Sequence, residues 1–392
     1  MGKSDKAATT SGQSSSADLL IIGGGVMGLW AAVKAERLGI DAILVDAAAL
    51  GGGASHGLIG ALMPHMPDKW NEKKQFQFEA LVRLEDEVAR LERETGLSCG
   101  YRRCGRLIPL PKPHLVDIAR RHAQDAEARW RTEGRQFHWR LLERTPHPGW
   151  LDPAMAEAGV VEDTLAGRAS PRRFCAALSA SLKAARHVRI IENNGVVRLD
   201  PDAAILADGH RIAFGHAIVA SGHEAFPLLT SLGPALPRPL GLPVKGQSAL
   251  LRADVDIALP VVFLKGLYVV PHEGGTVAIG STSEDTFDDP VSTDAQLEAL
   301  IERARQISPM LTDAPVVERW AGLRPKAIDR DPMVGRHPDH PRILALAGGF
   351  KVSFGLAHRL ADSVLSALNG CPLGVPDSFL LSNHLTVART GA

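Results

Sequence analysis

Cysteine is scarce in this chain: Cys99, Cys104, Cys175 and Cys371 are the four in 392 residues, and they form neither a C-x-x-C pair nor a His/Cys cluster at zinc spacing. That pattern argues against an iron–sulfur centre or a structural metal, so no metal is expected, and reduced thiols point to a cytoplasmic protein. An excess of one charge is also missing. Lys plus Arg equals Asp plus Glu at 44 each, so no global field draws the chain to nucleic acid or an anionic membrane, and any anion must be held locally. Long apolar runs are lacking as well. The most apolar stretch, Leu19 to Val33, is interrupted by glycine and falls short of the roughly 20 residues that span a bilayer. Residues 1–16 are small, polar and without the apolar core of a secretory signal, and are expected to form a disordered tail.

What is present is the composition of an ordinary globular protein, 45% hydrophobic and 22% charged, with length for two or three lobes. Its most informative stretch runs from Ala17 to Asp46 and reads as strand, glycine turn, helix, strand. Leu19 to Ile22 is a run suited to a strand buried on both faces, and Gly23, Gly25 and Gly28 follow it in G-x-G-x-x-G spacing. Gly23 permits the bend, Gly25 lets a pyrophosphate approach the backbone, and Gly28 lets the helix pack on the strand. Val26 and Met27 open that helix, whose unpaired N–H groups and dipole favour an anion. Asp46 ends the second strand, where a carboxylate accepts hydrogen bonds from ribose hydroxyls. The unit predicts an adenine dinucleotide, with NAD and FAD equally compatible, against the alternative of a purely structural glycine turn.

Downstream, Gln75 to Glu94 has the apolar spacing of an amphipathic helix, and Gly96 stands where a helix would end. Arg106 to Leu110 reads as a strand, His114 to Arg131 and Arg172 to Ala185 as helices, and Val188 to Phe214 as short strands joined by turns. Ala217 to Ala220 is a further buried strand, ending in Ser221-Gly222. Pro243 to Ile279 is strand-rich, Thr293 to Ile307 is a polar-surfaced helix, and Ile343 to Ala347 with Leu356 to Leu368 restores strand-helix character. The proline-rich run Pro234 to Pro243 reads as a connection between lobes.

Three segments carry a resemblance. Gly53-Ala54-Ser55, then Gly60 and Pro64, resembles the flavin-contacting loop of the glycine oxidase and D-amino acid oxidase family, and Trp320-Ala321-Gly322-Leu323-Arg324-Pro325 is similar to that family's W-A-G-L-R-P segment. Gly349-Phe350-Lys351 is similar instead to monomeric sarcosine oxidases. The resemblance implies an α/β fold in which a Rossmann-like FAD-binding domain (17–66, 168–226 and 329–385) is joined to an α+β substrate domain with an antiparallel sheet (67–167 and 227–328). It further implies that Ala54, Ser55, Gly60 and Leu62, and the segments around Gly222 and Gly349 to Gly355, contact FAD. His56 invites covalent attachment, but in sarcosine oxidases the matching histidine is only a flavin neighbour. Their attachment cysteine has no counterpart between Trp320 and Pro325, so noncovalent FAD is expected.

By the same resemblance Arg324 grips a substrate carboxylate, as a planar fork of donors can. Lys351 places a cation near the flavin, Gly355 opens a helix beside it, and Tyr268 closes the pocket. The implied reaction is oxidation of a small amino acid or N-substituted amino acid by hydride transfer to flavin N5, with oxygen or a quinone as acceptor. The imine product then hydrolyses. Other readings are a tRNA-modification-type oxidase, an opine or hydroxy-acid oxidoreductase, or the flavin subunit of a multi-subunit amine dehydrogenase. Homo- and hetero-oligomers both stay open. His65, His272 and His337 receive no role.

Overall fold

The computed structural model describes residues 14–390. It opens with β1 (Ser14–Ile22), α1 (Val26–Leu38), β2 (Ala42–Val45), the two-residue β3 (Ala61–Leu62) and α2 (Glu72–Thr95). Next come β4 (Arg106–Pro109), α3 (His114–Arg129), β5 (Arg131–Thr132), β6 (Arg135–Gln136), β7 (Trp139–Leu142), β8 (Val160–Asp163), β9 (Gly167–Arg168) and α4 (Pro171–Ser181). The middle holds β10 (Val188–Ile191), β11 (Val196–Leu199), β12 (Ala203–Leu206), β13 (Arg211–Val219), α5 (Ala225–Thr230), β14 (Gly241–Arg252), β15 (Val261–Leu264), β16 (Leu267–His272) and β17 (Thr276–Gly280). The chain continues with α6 (Ala295–Ile307), β18 (Val316–Ala327), β19 (Met333–Arg336), β20 (Ile343–Ala347), α7 (Ser353–Leu368) and α8 (Leu381–Thr390).

Among the described residues sixteen of these strands form two eight-stranded sheets, and β3-β9 and β5-β6 are separate two-stranded pairs. The first runs β10-β2-β1-β13-β12-β11, with β20 beside the end of β13 and β19 beyond it. Its centre is parallel, and β11, β12 and β19 are antiparallel. Helices cover both faces, which is why Leu19 to Ile22 is apolar at every position. Leu19 and Ile21 join the core made with Trp30 of α1, Phe174 of α4 and Leu360 of α7. Leu20 and Ile22 join the one made with Phe226 of α5 and Leu385 of α8.

The second sheet runs β18-β14-β17-β16-β15-β4-β8-β7 and is antiparallel except for β15 against β4. One face is packed by α6, whose Leu297, Ile301, Ala304 and Ile307 meet Ala249, Val269 and Ile279. The other face is turned to the first sheet's glycine turn and frames the cavity described below.

Two expectations are corrected. Ser14 to Ser16 pair with Arg211 to Ala213 and belong to β1 rather than to a disordered tail, because β13 extends far enough to offer them partners. The remainder of that expected tail, residues 1–13, lies outside the described residues. Arg211 to Phe214 and Ala217 to Ala220, read as separate strands, form the single β13 up to Val219, since Gly215 passes against Asp18 without a side chain to clash.

Candidate active site

The glycine turn is set by backbone contact. At Gly23, with φ of +107°, a Cβ would stand 2.6 Å from the Ala220 carbonyl oxygen, and at Gly28 it would stand 1.7 Å from that of Gly23. Gly25 precedes helix α1 without a side-chain cap, and no acid stands in the helix's first turn, so the terminus lacks a built-in anion. The Val26 N–H donates to Ser55 Oγ at 3.0 Å, which seats the following glycine-rich loop on the helix terminus. Asp46 is held by its own turn: its carboxylate accepts from the N–H of Gly24 at 2.5 Å and of Ala48 at 2.8 Å.

That loop is a short helical turn at Gly53–His56 followed by β3, which pairs with β9. Gly60 is required for a different reason than a nearby cofactor, since a Cβ there would meet the Ala169 carbonyl oxygen at 1.7 Å. His56 is exposed. Its carbonyl accepts from Arg172 Nε at 2.9 Å, and Arg172 grips Glu318 of β18 through both terminal nitrogens at 2.9 and 2.5 Å. A second tie comes from His272, unassigned from sequence. Its Nε2 lies 3.0 Å from the carbonyl oxygen of Leu58 and 3.2 Å from that of Ile59, so it carries the proton. Burial, helped by the Arg168 charge, holds this imidazole down at about 4.

At the far end of the loop's cavity, the turn after β20 docks on β18. Gly349 bridges Lys326, and the Phe350 N–H donates to the Pro325 carbonyl at 3.2 Å. Phe350, at φ of +42°, brings its ring 5.4 Å from Arg324 Cζ and 5.4 Å from Lys351 Nζ. The Arg324 guanidinium donates from Nη1 to Ser281 Oγ at 2.9 Å, and from Nη2 to the carbonyls of Thr282 at 2.5 Å and Lys245 at 3.2 Å. Burial lowers it to about 10, eased by Glu284, which leaves it cationic at neutral pH. Lys351 is exposed at the rim, and the surrounding protein, with Arg324 and Arg330, lowers its ammonium. Tyr268 is half-buried, its ring centroid 4.7 Å from that of Phe263, and burial raises its phenol.

The glycine turn, the loop after it and the Arg324 end of the sheet line one cavity of about 1800 Å³, well beyond the roughly 300–1,000 Å³ of a small-molecule pocket. Its walls include Gly23, Gly25, Val26, Met27, Asp46, Ala54, Ser55, His56, Gly60, Leu62 and Gly222 on one side and Tyr268, Arg324, Phe350, Lys351 and Gly355 on the other. Two sequence candidates do not reach it. The space beside Gly28 is taken by Gly23, and that beside Gly349 by Met27 Cε and Ser353 Oγ, each 2.4 Å from a built Cβ. Gly355 does not open α7, which starts at Ser353. At Gly222, φ of +63° and no neighbour within 4 Å leave the backbone open to a ligand. A helix terminus without an acid, the open Gly222 and a cavity of this size fit an extended dinucleotide with a small substrate beyond it. Arg106, Ser281 and Phe263 also line the wall. No motif singled them out, although an arginine opening the apolar strand of Arg106 to Leu110 was a signal. Among the described residues, no cluster of three or more His, Cys, Asp or Glu could hold a metal, and no helix is long and apolar enough to cross a membrane.

A parallel sheet with a glycine turn at a helix terminus, facing an antiparallel sheet that carries a cationic wall, defines a two-sheet, dinucleotide-dependent oxidoreductase. The chain belongs to the DAO family of FAD-dependent oxidoreductases, whose family model matches residues 18–363. Glycine oxidase of Geobacillus kaustophilus is 29% identical over 346 residues, 85% of this chain and 88% of that protein. The crystal structure of glycine oxidase from the same organism superposes with a TM-score of 0.81 at 25% identity, covering 94% of this chain and 98% of the other. The bifunctional protein ThiO/ThiG of Synechocystis sp. is 29% identical over 346 residues, but the chain spans only 48% of it, about half its length.

Proposed function

We propose that this protein oxidises a small amino acid or N-substituted amino acid, using FAD held without a covalent bond. The observation that carries the reading is the half-buried, cationic Arg324 at the end of the cavity remote from the glycine turn, beside Tyr268 and Lys351. Similarity to glycine oxidases supports it.

Bound FAD supplies a two-electron acceptor for a hydride from the substrate carbon. The rest is positioning by the chain. The first turn of α1 would hold the pyrophosphate, Asp46 the ribose, and Ala54 to His56 with Leu62 and Gly222 the remainder of the cofactor. Arg324 would pair with the substrate carboxylate through its charge and the remaining N–H of Nη1, since Ser281, Thr282 and Lys245 fix the guanidinium in place. Tyr268 covers the chamber and offers a hydroxyl. Lys351, at the rim of the cavity, would set positive charge near the reducible end of the cofactor. The absence of cysteine between Trp320 and Pro325 supports noncovalent binding. In this reading 17–66, 168–226 and 329–385 carry FAD, while 67–167 and 227–328 shape the substrate chamber. Oxygen or a quinone would serve as the final electron acceptor.

The purified protein is expected to be yellow, and its flavin band to bleach anaerobically with at least one small amino acid in a panel of both enantiomers. Failure of any amino acid or N-substituted amino acid to bleach it would overturn the reading.

A further inference from the structure

The segment between β17 and α6 is held at both ends by one side chain. Gln247, fully buried in β14, donates from Nε2 to Glu284 Oε1 at 3.0 Å and accepts at Oε1 from the N–H of Asp294 at 2.9 Å. Glu284 is fixed a second time, since its N–H and its carbonyl each bond the backbone of Lys245 at 3.0 Å. Between these two roots, among the described residues, no backbone group of Asp285 to Thr293 bonds to the rest of the chain. The N–H groups of Val291 and Ser292 donate to the Asp289 carboxylate inside the segment, and one ion pair, Asp285 with Lys326, leaves it. Neither Phe287 nor Val291 belongs to the apolar clusters of the two sheets. A stretch with its backbone left to solvent and so little packing moves at low cost in free energy.

The segment nevertheless borders the cavity: Pro290 and Val291 line it together with Gly246, Ser281 and Arg324. Its roots lie against Arg324. The guanidinium stands over Gly246, the neighbour of Gln247, and donates to Ser281 and Thr282, which lead into the segment. Asp285 reaches Lys326, two residues beyond Arg324 and on the same face of β18. Val291 is three residues from Asp294, so at ~3.6 Å per residue or less its backbone stays within about 11 Å of the N–H bonded to Gln247. Val291 is also 71% exposed, more than any other large apolar side chain among the described residues. An apolar tip that is wet, loosely held and beside a cavity can bury its surface by swinging over that cavity.

We propose that Asp285 to Thr293 is an arm, hinged at Gln247, that closes over the substrate end of the cavity, and that Val291 then covers an apolar side chain of the substrate. Val291 is thereby a specificity-determining residue, and the preferred substrates are amino acids with an aliphatic side chain rather than glycine. This rests on the reading of Arg324 as the carboxylate ligand, which brings the other end of the molecule within reach of the arm. Glycine offers nothing for Val291 to cover. A charged side chain would lose water to the valine and gain no partner.

The test uses the FAD-loaded enzyme with glycine and both enantiomers of alanine, valine, leucine and aspartate, and reads flavin reduction. Calorimetry separately titrates 4-methylpentanoate and acetate, the amine-free counterparts of leucine and glycine, which need not react. Wild type is expected to prefer leucine to glycine, and 4-methylpentanoate to acetate, by at least about tenfold, the lower end of what one methylene in an apolar pocket supplies. V291G and V291D alter an exposed position and leave the core intact. Both should raise KM for leucine and bring the two ratios to within about threefold of unity, with glycine unchanged. Hydrogen exchange read by mass spectrometry follows the arm itself. The peptide over residues 285–293 should exchange at nearly the unprotected rate in the free enzyme and at least about tenfold more slowly with saturating 4-methylpentanoate. An arm already protected in the free enzyme, or one that the ligand leaves unchanged, would overturn the proposal. So would a wild-type enzyme that prefers glycine or aspartate, or Val291 variants that lose glycine and leucine equally. If no amino acid reduces the flavin while 4-methylpentanoate binds and protects the arm, the proposed function fails and the arm stands. If neither carboxylate binds, both readings fall.

Discussion

The guanidinium of Arg324 occupies the space that a side chain on Gly246 would fill: a Cβ built there stands 2.3 Å from Nη2 and 2.5 Å from Cζ. A guanidinium pinned by three acceptors cannot step aside without giving them up. Gly246→Ala is therefore expected to raise KM for carboxylate substrates by roughly 10–100-fold, the scale on which misplacement by about 1 Å acts. Flavin content should hold, because the glycine turn lies at the other end of the cavity. A KM within twofold of wild type would show that Arg324 has freedom the packing denies.

Removing the arginine itself is a sharper measurement. Arg324→Ala should cost on the order of 2–5 kcal/mol of carboxylate affinity for a desolvated pair, with each ~1.4 kcal/mol a factor of ten in Kd. Arg324→Lys keeps the charge but loses the fork, and is expected between the two. Titration with a small carboxylate that perturbs the flavin spectrum reads this directly. Unchanged affinity in the alanine variant would remove Arg324 from the carboxylate site.

Legibility in the sequence followed the range of the interaction. The strand, turn, helix and acid of Ala17 to Asp46 are local, and they stand where spacing placed them, with α1 starting at Val26. The convergence of Arg324 and Lys351 was implied only by resemblance. Its cause is a bridge between Gly349 and Lys326 with the Phe350 ring laid between the two cations, a long-range contact without a period. His272 and Arg106 were passed over for the same reason. A histidine reaching the Leu58 carbonyl across 214 positions and an arginine paired with Asp163 across 57 leave no local pattern. The glycines divide the same way. Gly60 was read as serving a ligand, but its missing side chain admits the backbone of Ala169, whereas Gly28 lets its helix close on the backbone of Gly23, the packing its place in the motif implied.

Acid should weaken the fold through its buried histidines. Burial holds His272 down at about 4 and His358 at about 3, against an ordinary value of 6.5. Above that value both are neutral, folded or unfolded, and contribute no pH dependence. Below it the unfolded chain takes up protons that the folded one refuses, so stability falls with pH from about 6.5 towards 4. The loss should approach ~2–3 kcal/mol per histidine at the lower limit. Urea midpoints at pH 7 and pH 5 measure it. His272→Gln, which keeps a donor for the Leu58 carbonyl, should flatten the dependence, and an unchanged slope would exclude His272 as a source.

The thiols should report on the cofactor loop. Cys371 is exposed. Burial pushes the Cys175 thiol up to about 12 and raises those of Cys99 and Cys104, so none of these three offers a reactive thiolate near neutrality. A chromogenic thiol reagent is expected to label Cys371 rapidly in the FAD-loaded protein and the others only in urea. Cys175 has a further dependence. A Cβ on Gly51 would lie 2.7 Å from the Cys175 Cβ, and its Sγ lies 3.9 Å from the Ser55 carbonyl oxygen, so the glycine-rich loop covers it. If FAD is what keeps that loop seated on the terminus of α1, stripping the cofactor should release Ser55 and speed labelling of Cys175 by at least about tenfold, as expected for a local opening favoured by ~1.4 kcal/mol. Mass spectrometry of the labelled peptide identifies the site. Equal rates with and without FAD would mean that the hydrogen bond between Val26 and Ser55, rather than the cofactor, holds the loop closed.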